Sequence, residues 1–122
     1  MEYRFVGSAK RAPISLGERM NYEQTDPSLD AWAAKHRLTI YTEFRDDEVR
    51  FSVVKDDLGR SFQIFLRRPP DELGNLEVVT TDNAGRSATF SAHLTNLPQA
   101  LDLAYEKTLE WISADGRTRS NE

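Results

Sequence analysis

Between Leu38 and His93 apolar and polar residues alternate in runs of five to eight, and most of the runs are separated only by short clusters of Asp, Asn and Gly. Period two is the signature of a strand with one face buried. Gaps as short as Asp46-Asp47, Asp57-Leu58-Gly59 and Asp82-Asn83-Ala84-Gly85 hold a hairpin turn but not the crossover of a dozen or more residues that parallel neighbours need. The longer segment Arg68-Pro69-Pro70-Asp71-Glu72-Leu73-Gly74-Asn75 still lacks the length for a crossover helix. The spacing therefore predicts an antiparallel β-meander of four to five strands in sequence order.

Two helices flank this pattern. Asp26-Pro27 is a helix-start signal, the Asp26 carboxylate being placed to cap the first backbone amides, and Leu29, Trp32, Ala33 and His36 recur at three- and four-residue spacing, so a short helix is expected from Pro27 to His36. After His93, Asn96 is placed to cap a second helix and Asp115-Gly116 to end it. On that helix Leu97, Ala100, Leu101, Ala104, Tyr105, Thr108, Trp111 and Ile112 share one side, which must lie on the sheet. The expected fold class is α+β, with the meander packed on one C-terminal amphipathic helix and a short helix before the first main strand. Residues 1–26 read as a strand and loop segment of the same domain, 27–116 as its core, and 117–122 as a disordered tail.

Composition narrows the function classes. At 122 residues, 39% of them hydrophobic and 30% charged, the chain fits one packed core and not a disordered or membrane composition. Apolar runs of two or three residues cannot span a bilayer, and Glu2 with no apolar stretch after Arg4 does not read as a secretory leader, so the cytoplasm is the expected address. Without cysteine there is no disulfide frame and no thiolate chemistry. A net charge of −4 disfavours nucleic acid and anionic lipid as partners and favours a protein with a basic surface.

No catalytic residue, metal-ligand set or cofactor motif stands out. His36 and His93 lie 57 positions apart with no ligand spacing between them. Asp46-Asp47-Glu48 and Asp56-Asp57 are better explained as turns than as cation loops, and Arg67-Arg68-Pro69-Pro70 as a stiff loop rather than a polyproline ligand.

The sheet face turned away from the helix is more informative. Alternation assigns Leu38, Ile40, Phe44, Val49, Phe51, Val53, Phe62, Ile64, Leu66, Leu76 and Val78 to the helix side. The open side then carries Tyr41, Glu43, Arg45, Arg50, Ser52, Val54, Ser61, Gln63, Phe65, Arg67, Glu77, Val79 and Thr81. Tyr, Phe and Arg are enriched at protein interfaces. The binding residues expected are Tyr41, Arg45, Arg50, Val54, Gln63, Phe65 and Arg67, unless residues 1–26 fold over this face. The reading is a small non-enzymatic protein-binding module, a bacterial or phage inhibitor, immunity or accessory protein acting by stoichiometric binding. The alternative is single-stranded nucleic-acid binding, with Tyr41 and Phe65 stacking on bases and Arg45, Arg50 and Arg67 holding phosphates.

Overall fold

The computed structural model describes residues 21–120 and, within them, side chains as far as Asp115. The readings made of residues 1–20, including whether they cover the open sheet face, and of residues 121–122 lie outside the described residues. After a 3-10 turn at Tyr22–Gln24 come helix α1 (Asp26–His36) and five strands, β1 (Tyr41–Phe44), β2 (Asp47–Lys55), β3 (Ser61–Leu66), β4 (Asn75–Thr81) and β5 (Ser87–His93). A second 3-10 turn, Leu94–Asn96, leads into helix α2 (Leu97–Ser120). The strands form one antiparallel sheet in the order β1-β2-β3-β4-β5, the meander that the turn spacing predicts.

One turn design recurs in three connections. Asp56-Asp57-Leu58-Gly59-Arg60, Asp71-Glu72-Leu73-Gly74-Asn75 and Asp82-Asn83-Ala84-Gly85-Arg86 share the pattern Asp-x-x-Gly, then Arg or Asn. In each, the Asp amide donates to the carbonyl four residues on, at 3.1, 2.9 and 3.2 Å. One carboxylate oxygen accepts the amides two and four residues on. The glycine sits at φ +84°, +87° and +115°, the region that an L side chain resists. At β1–β2 the connection is a two-residue turn, Arg45 at φ 53° and Asp46 at φ 72°, the pair of positive angles that matches strand twist.

The core lies between the sheet and the two helices. Phe62, Ile64, Leu66, Leu76 and Val78 from the sheet meet Leu97, Ala100, Leu101 and Ala104 of α2 and Leu29, Trp32 and Ala33 of α1. Tyr105, Trp111 and Ile112 pack at its margin, half-buried. Thr80 and Thr108 join sheet to helix inside the core: the Thr108 hydroxyl donates to the Ala104 carbonyl at 2.9 Å, so Thr80 donates to Thr108 across 2.6 Å. Asp115 accepts hydrogen bonds from Arg60 at 3.0 Å and Arg86 at 2.9 Å, tying the far part of α2 to two turns.

Four expectations need correction. The helix does not stop at Asp115-Gly116 but continues to Ser120, since a single glycine weakens a helix by about 1 kcal/mol without ending it. Asp26 is not a cap: it is the first residue of α1, behind Thr25, and its carboxylate is held by Arg50. Phe44 is turned to the open side by an irregularity in the β1–β2 register between Tyr41 and Glu43. Strand β2 has the opposite parity to the one expected: Arg50, Ser52 and Val54 are buried on the helix side, whereas Val49, Phe51 and Val53 are half-exposed on the other. The pairings Val54↔Phe62 and Ser52↔Ile64 require this, because directly opposed residues share a face.

Candidate functional site, the open sheet face

The register aligns the open side into rungs that cross the strands. The central rung runs Tyr41↔Phe51↔Phe65↔Val79↔Thr89 through all five strands. Its rings touch: Tyr41 and Phe51 lie 5.1 Å apart, and Phe44 meets Phe51 edge-on at 6.3 Å. Val79 is buried although it belongs to this side, and Tyr41, Phe44, Phe51 and Phe65 are half-buried. On one flank Val53↔Gln63↔Thr81↔Ser87 make a mostly polar rung. On the other, Arg67 donates to Glu77 at 2.6 Å and to the Thr89 hydroxyl at 3.3 Å.

Beside the aromatic end of the rung a cleft of about 430 Å³ opens between Phe44, Val49, Phe51, Phe65, Tyr22 and Arg50. Arg45 projects from its turn with its guanidinium 5.1 Å from the centre of the Phe44 ring. Burial pushes the Tyr22 phenol above its ordinary pKa, an effect that the nearby Arg50 charge opposes only in part.

Of the seven residues expected to bind, the structure brings Tyr41, Gln63, Phe65 and Arg67 together on this side. Arg45 stands at its margin in the turn and not on a strand. Arg50 and Val54 are on the covered side. Arg50, 3% exposed, donates to both Asp26 oxygens at 2.7 and 3.1 Å, to Glu48 at 3.3 Å and to the Val49 carbonyl at 2.7 Å, with its guanidinium 4.6 Å from the Tyr22 ring centre. That set of partners makes it a tie between α1 and β2. Phe44, Val49, Phe51 and Val53 belong to the open side and were missed, because their hydrophobicity assigned them to the core. The signal that finds them is the length of the turns, which sets the pairing.

The histidines remain apart. His36 stacks on Tyr105 at 4.0 Å, with Nε2 3.6 Å from Asp102. His93 pins the β3–β4 turn: its Nδ1 accepts from the Thr95 amide at 3.2 Å, which leaves Nε2–H to donate to the Leu73 carbonyl at 2.9 Å. Among the described residues no three His, Cys, Asp or Glu side chains gather as a metal site, and no helix is long and apolar enough to cross a membrane. No family model matches the chain, and comparison with curated proteins and with solved structures finds no similar one.

Proposed function

We propose that this chain is a small non-enzymatic protein-binding module, of the inhibitor, immunity or accessory type found in bacteria and phages, acting by stoichiometric binding in the cytoplasm. The observation that carries the reading is the aromatic rung Tyr41–Phe51–Phe65 on the side of the sheet turned away from the two helices, with Arg45 at its margin and polar side chains, Gln63 and Arg67, on its two flanks. An apolar, aromatic centre inside a polar rim is the anatomy of a protein contact. The net charge of −4 favours a partner with a basic surface.

The nucleic-acid alternative has less support, because two of its three phosphate-holding arginines have acidic partners: Arg50 on Asp26 and Arg67 on Glu77. The test is Tyr41→Thr combined with Phe65→Thr, substitutions that keep β-branched residues on the strands. Because both side chains are half-buried, the pair should lower stability by about 2 kcal/mol, yet it should abolish capture of the partner recovered with the full chain. Undiminished capture by a folded double variant would refute the reading. Tight, salt-dependent binding of a single-stranded oligonucleotide, lost in the same variant, would replace it with the alternative.

A further inference from the structure

Among the described residues the two outermost strands of the sheet are built differently. Strand β1 has four residues, an irregular register and charged neighbours in Glu43, Arg45, Asp46 and Asp47. Short length, bulges and charge are the devices that keep a sheet edge from pairing with another chain. Strand β5 has none of them. It runs for seven residues in unbroken register with β4, from Asn75↔His93 to Thr81↔Ser87, and contains no charged residue and no proline.

The direction of its free main-chain groups follows from the bonds that bracket it. The Asp82 amide donates to the Arg86 carbonyl, and the Leu94 amide to the Gly74 carbonyl. Residues 86 and 94 therefore belong to the hydrogen-bonded set facing β4, and 88, 90 and 92 with them. Ser87, Thr89 and Ser91 turn their N–H and C=O groups the other way, where among the described residues no strand lies. Their side chains are all short and uncharged, so nothing on the strand blocks close approach.

The sequence of β5 also reads nearly the same in both directions about Phe90. Outward from it come Thr89 and Ser91, then Ala88 and Ala92, then Ser87 and His93. A two-fold axis requires this self-complementarity, since residue i of one copy must suit residue j of the other and the reverse. We propose that β5 is a dimer edge, on which the β5 of a second copy of this chain adds antiparallel, with the axis at Phe90. Thr89 then faces Ser91 of the other copy twice, and these two hydrogen-bonded pairs alone supply about four main-chain hydrogen bonds. Phe90 meets its symmetry mate on the helix side of the sheet, and Ala88 meets Ala92.

Helix α2 lies over β4 and β5 and lends a second contact. Leu103, 49% exposed, lies roughly 160° around the helix from Tyr105, which packs against α1. It therefore borders the flank of α2 above the β5 edge, where Trp111 lies under the Arg86 guanidinium. Two such flanks approach each other across the axis. The dimer does not depend on what the open face binds, but it would set two open faces side by side on one continuous sheet.

Sedimentation of the full chain from micromolar to millimolar concentration should show a 14.0 kDa monomer in equilibrium with a species of twice that mass. Ser91→Pro should return it to monomer while keeping its circular dichroism spectrum, because the amide it removes points away from β4. The register can be read directly, since the chain has no cysteine. Phe90→Cys should form a 90–90 disulfide on mild oxidation, and a mixture of Ala88→Cys and Ala92→Cys chains should cross-link to each other faster than either does to itself. The mixture keeps Phe90 and so gives the register even if the Phe90 variant folds poorly. A single 14.0 kDa species at every concentration would overturn the proposal, as would a dimer that survives Ser91→Pro.

Discussion

The tie between Arg50 and Asp26 yields an asymmetry that can be measured. The Arg50 side chain is 3% exposed and that of Asp26 31%, so the two ends of the same ion pair are unequally able to return to water. Replacing Asp26 by Ala leaves the guanidinium buried with Glu48, at 3.3 Å, as its remaining acidic partner. Breaking a buried pair from one side costs about 3–5 kcal/mol, and Glu48 should hold the loss near the lower end, about 3 kcal/mol. Replacing Arg50 by Met keeps most of the buried volume, and the carboxylate left behind is partly solvated at the start of α1, where the helix dipole favours it. That loss should be about 1–1.5 kcal/mol, part of it the contact of the cation with the Tyr22 ring. Urea denaturation at neutral pH should therefore show Asp26→Ala with the larger fall in midpoint and an unchanged slope. Arg50→Met should leave partner capture intact, since Arg50 is not on the open face. If Arg50→Met proves as destabilising as Asp26→Ala, or removes capture while stability holds, Arg50 is not the internal tie described here.

Other consequences follow from single groups. Ser52 is fully buried and its hydroxyl finds no partner among the described residues, so Ser52→Ala should leave stability unchanged or raise it by about 1 kcal/mol in the same denaturation assay. Gly74 sits at φ +87°, and a Cβ there would lie 2.6 Å from Nε2 of His93. Gly74→Ala should cost about 2–3 kcal/mol, seen as a lower melting temperature, and a loss under 0.5 kcal/mol would mean that the turn and the ring yield freely. The hydrogen bond from Arg86, acting ahead of the opposing effect of burial, holds the Asp115 carboxyl below the usual carboxylate range. With the folded value depressed, this stabilisation is fully present above the unfolded value of about 3.9 and is lost as pH falls through the folded value. Asp115→Asn should therefore be less stable than wild type at pH 7, with the gap closing below about pH 4 in urea midpoints measured across that range.

Much of the fold could be read locally. Asp and Gly clusters mark turns because an Asp carboxylate satisfies nearby amides and glycine accepts positive φ, and turns that short permit only antiparallel neighbours. The spacing of Leu97, Leu101 and Ala104 identifies the buried side of α2 by itself, since a helix has a single phase to match. Alternation also gave the correct face for Phe62, Ile64, Leu66, Leu76 and Val78. Strand β2 was different. Its period of two was plain, but alternation does not say which of two sets faces inward, and hydrophobicity pointed to Val49, Phe51 and Val53. Pairing with β3 decided otherwise, because the five-residue turn at Asp56–Arg60 sets Val54 opposite Phe62, and a shift of one residue would reverse every side chain. A buried Arg50 on that side is tolerated only because Asp26, 24 positions earlier, meets it in the folded chain. The composition of the candidate site thus followed from tertiary structure, for alternation alone cannot say which set of β2 faces inward, and the ion pair that lets Arg50 be buried joins two elements distant in sequence.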